Sequence, residues 1–332
     1  MTKPHAGYRH EGFIYHGIDE FLAATVPFIR EGVTSGQPVM VAVAGARLDR
    51  LRAEVGADTR GVQFVDMAEC GRNPSRIIPA WLEFIEEQAP SGRPVRGIGE
   101  PIWAGRRPAE VVECQLHEIL LNLAVDPDTP LWLRCPYDAD ALEPSILQEA
   151  HHSHPILVDA DGGYRGSTCY GGAHHAGVMF SAELPAPPSD ACEIGFTAAT
   201  IGIVSDEARR HAIAAGLPVN RAEDLVAAAH EIATNSVRHG GGAGSMRIWQ
   251  QDDALICEIH DGGRIEDLLV GRMPSPAATV HGRGLWAANE VSDLLQIRSS
   301  ANGTRVRVVD WLTTDVPLPA GADDGRSSTV VG

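Results

Sequence analysis

Glu231-Ile-Ala-Thr-Asn235 places a carboxylate and a carboxamide at i and i+4, one above the other on a single helix face. About thirty residues on, Asp261-Gly262-Gly263 closes a strand-like run; Gly282-Arg283-Gly284-Leu285 then opens a helical pattern, and Gly303-Thr304 follows. Each part suits one task. A carboxamide oxygen is a hard ligand of the kind Mg²⁺ takes alongside water and phosphate oxygens. A carboxylate one turn earlier can take the proton of a hydroxyl or water attacking a terminal phosphate. An ionised Asp only accepts hydrogen bonds, so Asp261 matches the exocyclic amine of adenine and not the oxygen of guanine. Gly263 permits close approach of a base or sugar, and Thr304 offers a hydroxyl near the base. Glycines ahead of a helix start let backbone N–H groups wrap a phosphate. Taken singly, these pieces also read as a solvated helix, an Asp-Gly turn, a flexible loop and a strand threonine. Their order over about seventy residues is what points to a magnesium nucleotide.

The chain restricts how such a nucleotide is held. Lys3 is its one lysine, which excludes a Walker A loop. Phosphates must then meet backbone N–H groups, a metal and arginines, with Arg238 and Arg283 as the candidates. The formal charge of −17 argues against direct nucleic-acid binding, which rests on Lys and Arg. The longest apolar run, Pro38 to Ala46, is too short to span a bilayer. Met1 to Gly12 has no hydrophobic segment of the signal-peptide kind, so a cytoplasmic protein without membrane contact is expected. Six widely spaced cysteines with no CxxC pair fit reduced thiols.

The elements that must carry these residues fall into two regions. From Ile18 to His152, helical patterns (18–32, 46–55, 75–88, 108–124, 144–152) alternate with short apolar strands (38–44, 61–67, 95–98, 131–135). That alternation predicts an α/β domain with a doubly wound, mainly parallel sheet. Gly171 to Ser189, with Gly-Gly and Pro185-Ala-Pro187-Pro188, has linker composition. Beyond it, helices are expected at 197–215 and 221–238, the second with Leu225, Ala229, Ile232 and Ser236 as its apolar stripe. Strand-like 246–250 and 255–260 join at Asp252-Asp253, a helix follows at 283–291, and 294–298 and 304–309 join at Asn302-Gly303. This region reads as an α/β sandwich with an antiparallel or mixed sheet. The expected layout is a first domain over 8–171, a linker over 172–190, a second domain over 191–312 and a disordered tail over 313–332.

The second region resembles the GHKL ATPase family, with its Bergerat-type ATP site. Glu231 and Asn235 match that family's first motif, Asp261 and Gly263 the second, Gly282 and Gly284 the glycine lid, and Gly303-Thr304 the last. The second motif usually runs Asp-x-Gly-x-Gly, and here Ile265 stands at its final glycine. Asp224 to Glu231, Arg238-His239-Gly240 and Gly282-Arg-Gly-Leu285-Trp286 resemble the anti-sigma-factor serine kinases. The resemblance implies ATP and Mg²⁺ as cofactors, Asn235 as the Mg²⁺ residue and Glu231 as the base. It also implies a sigma factor and a phosphorylatable antagonist protein as partners. Since the family's ATP domains often pair, a homodimer is a further expectation. Two other readings stay open: an ATP-binding anti-sigma or partner-binding module without catalysis, and a sensor histidine kinase. The latter needs a phosphoacceptor His on a helical hairpin upstream; His230 lies inside the ATP region instead.

His10-Glu-Gly-Phe-Ile-Tyr15, Glu100-Pro-Ile-Trp103, Leu133-Arg-Cys135-Pro-Tyr137-Asp138 and His154-Pro155 resemble the MEDS sensory domain. That implies a RecA-like α/β core without a P-loop, in keeping with the missing lysine, and a pocket for a small organic ligand. His10, Trp103, Cys114, His117, Cys135 and Tyr137 are the candidate pocket residues. Cys114 and His117, at i and i+3, are spaced to share a metal or simply to fill a core. His151-His152-Ser-His154 reads as a metal cluster or as a polar helix end.

Overall fold

The computed structural model describes residues 7–56, 60–159, 161–273 and 283–313. The tail beyond Thr313 therefore lies outside the described residues, as does Gly282 of the lid. The first region runs β1 (Arg9–Tyr15), α1 (Gly17–Thr34), β2 (Val39–Val43), α2 (Gly45–Val55), β3 (Val62–Asp66), α3 (Met67–Cys70), α4 (Ile77–Gln88), β4 (Val95–Gly99), α5 (Pro108–Ala124), β5 (Leu131–Asp138), α6 (Pro144–Ser153), β6 (Ile156–Val158), β7 (Tyr164–Gly166) and α7 (Gly172–Ser181). Its sheet has the order β3-β2-β4-β5-β1-β6-β7. The pairs are parallel except at the β6–β7 edge. The strands are apolar on both sides because helices cover both faces. Phe21, Ile29, Leu48 and Leu51 of α1 and α2 pack on Phe13, Val41 and Val43. Trp81, Leu116, Ile119 and Leu120 of α4 and α5 pack on Met40, Leu133, Cys135 and Tyr137.

Three segments depart from the periodicity reading. β1, which the apolar pattern does not single out, is an inner strand between β5 and β6. Gly172–Ser181, expected as linker, is a helix that buries Ala176 and Phe180. Thr197 ends a strand, and the helix expected from that residue starts at Gly202. In the last two cases a few buried apolar side chains, invisible to composition, decide the local structure.

The second region runs β8 (Cys192–Thr197), α8 (Gly202–Ala214), α9 (Val219–His239), β9 (Ala243–Gln251), β10 (Ala254–Asp261), α10 (Arg283–Val291), β11 (Leu294–Ser300) and β12 (Gly303–Trp311). Its sheet, β11-β12-β10-β9-β8, is antiparallel throughout. Asp252, at φ 50°, makes the tight turn between β9 and β10. Helices α8, α9 and α10 cover one face, with Val204, Leu225, Ala229, Ile232 and Ala288 against Ile248, Leu255, Cys257, Ile297 and Val308. α9 buries the stripe expected of it and stops at Gly240, with Arg238 and His239 in its last turn, where cations suit the helix C-terminus.

The other face of this sheet lies against the first region. Ala109 of α5 joins Ala254, Leu294, Val309 and Trp311. Glu113 of α5 is fully buried and held by Arg272 Nη2 at 2.8 Å and Arg298 Nη2 at 2.5 Å, with Gln296 Nε2 at 3.3 Å. Arg107 pairs with Asp253 at 2.6 Å and lies over the Trp311 ring. Asn73 Nδ2 donates to Asn289 Oδ1 at 2.7 Å, and Asn289 Nδ2 to the Gly271 carbonyl at 2.9 Å. Arg307 pairs with buried Glu258 at 2.7 Å and donates to the Pro185 carbonyl.

Removing one member of such a buried set leaves its partners charged and dry. Glu113→Ala is expected to lower the unfolding free energy by about 3–5 kcal/mol, measured by urea denaturation of the full chain. A loss within about 0.5 kcal/mol, the usual range of a surface change, would show that Glu113 does not clamp the two regions together.

Candidate functional site

The end of α9, the end of β10 and the start of α10 enclose a cavity of about 330 Å³. Asn235, Asp261, Gly263, Leu285 and Thr304 all line it, joined by His239, Arg264 and Ile265. Five of the nucleotide residues expected from the sequence thus meet at one place. They come from distant parts of the chain because α9 crosses the ends of β10 and β12, which pair Asp261 with Thr304.

The floor is tied down by short polar contacts. Asp261 Oδ1 accepts the Gly263 N–H at 2.7 Å. Thr304 Oγ1 donates to the Gly263 carbonyl at 2.9 Å and lies 2.9 Å from Ser299 Oγ. Ser299 Oγ accepts the Ile265 N–H at 2.9 Å. Ile265, where the GHKL motif has glycine, is therefore fixed by its backbone, and its side chain forms part of the cavity wall. Thr304 is spent on holding this loop, a positioning role that its residue type alone does not reveal.

Glycines bring the walls together. A Cβ on Gly240 would fall 2.3 Å from Asp261 Cγ and 2.6 Å from the Ser236 carbonyl oxygen, so only glycine lets the end of α9 pass over Asp261. Gly303, at φ 100°, turns β11 into β12 beside Asp261. At the mouth, a Cβ on Gly284 would lie 2.8 Å from Glu231 Oε2 and 2.9 Å from Asn235 Nδ2. The carboxylate and carboxamide of α9 thus both end at the first buried residue of α10. Glu231 itself is exposed. Arg238 is exposed in the last turn of α9 and is not among the residues lining the cavity. Arg283 begins α10, and its side chain lies outside the described set. His230 points elsewhere, with Nδ1 3.2 Å from Ser205 Oγ of α8.

In the first region, His10, Cys135 and Tyr137 share the face of the sheet that α5 covers. His10 Nε2 is 3.3 Å from Cys135 Sγ, and the Tyr137 ring meets His154 edge-on at 5.6 Å. Trp103 instead carries the Arg106 guanidinium 4.4 Å above its ring. Cys114 and His117 do not form a metal pair. Cys114 Sγ donates to the Pro101 carbonyl at 3.2 Å, and burial pushes its thiol up to about 12. His117 is buried, and burial pulls its imidazole down to about 3. The histidine cluster does not converge either. His152 stacks on His175 and hydrogen-bonds the Cys169 carbonyl at 3.0 Å, while His154 turns into the core.

Two features here went unread in the sequence. Glu118 lies beside His10 and His154, marked only as an acid on the apolar face of α5. At the C-terminal ends of the parallel strands, where open α/β sheets bind ligands, Arg47 bridges Glu100 and Asp138, and Tyr15 Oη donates to Glu100 at 3.1 Å. Burial pushes the Glu100 carboxyl up to about 7 against the pull of Arg47. Glu100 and Asp138 sit inside segments quoted above for the MEDS resemblance.

The glycine contacts differ in what must yield. Gly240→Ala drives a methyl into a backbone carbonyl and a sheet-end carboxylate, and about 1–3 kcal/mol of stability should be lost, as in overpacked cores. Gly284→Ala meets only the ends of two side chains and should cost under about 1 kcal/mol, within the range of tolerated changes. Urea unfolding of both variants checks this, and an equal loss would contradict the packing described.

Among the described residues, no helix is long and apolar enough to cross a membrane. Residues 9–155 match the family described as MEDS, the MEthanogen/methylotroph, DcmR Sensory domain. Residues 196–309 match the family described as the histidine kinase-like ATPase domain. No curated protein matches the chain. The chain thus carries an N-terminal MEDS sensory domain and a C-terminal histidine kinase-like ATPase domain, a domain type that binds ATP, usually with Mg²⁺.

Proposed function

We propose that the protein is a cytoplasmic anti-sigma factor and serine/threonine protein kinase whose ATP domain answers to a small organic molecule bound by the MEDS domain. The observation that carries this reading is the joint approach of Glu231 and Asn235 to Gly284 at the mouth of a cavity floored by Asp261. Asn235 fits a magnesium ligand because it lines the cavity and its carboxamide lies, with the Glu231 carboxylate, beside Gly284. Mg²⁺, when bound, neutralises phosphate charge. Asp261 accepts a hydrogen bond from the adenine amine. Glu231 takes the proton of a Ser or Thr hydroxyl on the antagonist protein as that oxygen attacks the terminal phosphorus and ADP leaves. The exposure of Glu231 suits a macromolecular acceptor, which must bring its hydroxyl to the cleft from outside.

A second reading is supported by Ile265. A branched side chain in the cavity wall narrows the space that the motif glycine leaves for the nucleotide. In that reading ATP only shapes a surface for a sigma factor or another partner, and no phosphate moves.

Incubation with γ-labelled Mg-ATP and candidate antagonist proteins separates the two. Wild type should label an antagonist Ser or Thr, and Glu231→Ala should lower that labelling by about 10²–10⁴-fold, the range of general base catalysis, with ATP still bound. Asn235→Ala should lose affinity for Mg-ATP in calorimetry. Tight ATP binding by wild type without transfer to any antagonist would replace the kinase reading by the binding one.

A further inference from the structure

Away from the nucleotide cleft, four side chains converge inside the MEDS domain. His10 of β1, Glu118 of α5, Cys135 of β5 and His154 at the C-terminal end of α6 each offer one ligand atom, and these atoms lie within 4.8 Å of one another. All four residues are buried, none more than 2 % exposed. His10 Nε2 is 3.1 Å from Glu118 Oε2 and 3.3 Å from Cys135 Sγ, and His154 Nε2 is 3.3 Å from the same Glu118 oxygen. Tetrahedral coordination with bonds of about 2.0–2.3 Å has ligand-to-ligand edges of about 3.3–3.7 Å. These separations are close to such edges.

Proton counting shows why hydrogen bonds alone do not satisfy the cluster. The Ala150 carbonyl only accepts, so His154 Nδ1, 2.9 Å away, carries the hydrogen. Asn122 sends its amide nitrogen to the carbonyls of Ser153 at 2.8 Å and Glu118 at 3.1 Å. Its Oδ1 is left to accept from His10 Nδ1 at 3.0 Å. With both rings held as Nδ1–H, each neutral Nε2 is an acceptor, and both face a carboxylate oxygen that is also an acceptor. Cys135 supplies the one remaining proton. Glu118 Oε1 and His154 Nε2 have no hydrogen-bond partner. A divalent cation draws on every one of these lone pairs. With Glu118 and Cys135 each contributing one negative charge, the buried set then sums to zero. Imidazoles that bind a metal through one nitrogen while a carbonyl holds the other N–H are the usual arrangement. Gly12 completes the fit: a Cβ there would press on the His154 ring at 3.1 Å.

We propose that His10, Glu118, Cys135 and His154 bind one divalent transition-metal ion in a closed tetrahedral site. Two imidazoles, one thiolate and one carboxylate favour zinc among such ions. The cation enters, the Cys135 thiol gives its proton to solvent, and four donor bonds form with no change of oxidation state. The site goes beyond the signalling function proposed above and stands independently of it.

The test uses the full-length chain, stripped with chelator and reloaded with Zn²⁺ or Co²⁺. About one equivalent of Zn²⁺ should survive dialysis, as expected of a four-ligand site. The Co²⁺ form should show tetrahedral visible bands and a near-ultraviolet thiolate charge-transfer band that Cys135→Ser removes. Asn122→Ala, which touches no donor atom directly, should weaken Zn²⁺ binding by about 10–100-fold. Circular dichroism confirms that each variant is folded. Absence of stoichiometric metal on folded wild type would overturn the proposal, whatever the variants do. So would a charge-transfer band that persists in Cys135→Ser, because it would assign the metal to another thiolate, such as that of the Cys192, Glu207 and His211 group of the second domain.

Discussion

A carboxylate buried between two guanidiniums binds the two halves of this molecule. Glu113 is fully enclosed, and Arg272 and Arg298 supply the charge that makes its burial tolerable. Arg298 belongs to β11, and Arg272 follows the loop that walls the nucleotide cavity. The pairing therefore fixes α5 of the sensory domain against both the sheet and the cavity wall of the ATP domain. The face of the second sheet that a free domain would turn to water carries Glu258, Gln296, Arg298 and Arg307, all buried here. A polar interface of this kind demands matched partners at each position. An apolar one would tolerate sliding, whereas this one specifies a single docking geometry.

The nucleotide cavity follows from a similar economy of space. α9 must pass over Asp261 for Asn235 to face the same cavity, and Gly240 makes that crossing possible. Asp261, Gly263, Ser299, Thr304 and Ile265 then lock one another through backbone and hydroxyl contacts. The groups proposed to meet the base are thus ordered by the sheet. Those proposed for the phosphate end, Glu231 and Asn235, lie at the junction with α10, beside Gly284.

Much of this was legible in the residues. Alternating helical and apolar runs gave the doubly wound first domain, because strands covered on both faces must be continuously apolar. The ordered set named Asn235, Asp261 and Thr304, which line one cavity, and Glu231 at its mouth, but only the i, i+4 spacing of Glu231 and Asn235 is a local rule. What the residues concealed was nonlocal. Gln296, Arg298 and Arg307 alternate with apolar residues as if on a solvent face, and only the packed partner shows them to be interface. Glu118 looks like any helix acid until β1, β5 and α6 bring His10, Cys135 and His154 to it. Cys114 and His117 sat at a spacing suited to a metal, yet the Cys114 thiol is taken by the Pro101 carbonyl. Sequence spacing places two residues on one helix face; it does not say what stands opposite.

In the function proposed above, α5 is one element that reaches from the sensory core to the domain interface. α5 carries Glu118 in the metal-ligand cluster and Glu113 at the domain interface, five residues apart, or about 7.5 Å along the axis. Its middle is buried from Cys114 to Leu121 except at Gln115, so a displacement at one end moves the helix as a body. The two arms of the Glu113 cluster are not equivalent. Arg298 is anchored in β11, an edge strand paired along its length with β12. Arg272 sits in a loop, its Nη1 has no hydrogen-bond partner, and burial pulls its guanidinium below its ordinary range while Glu113 holds it up. Loss of the Arg272 arm leaves Glu113 still paired with Arg298, whereas loss of Arg298 leaves the neutral Gln296 contact as its link to β11. The cheaper movement is therefore that of Arg272, and it lies ten residues before the first glycine of the lid.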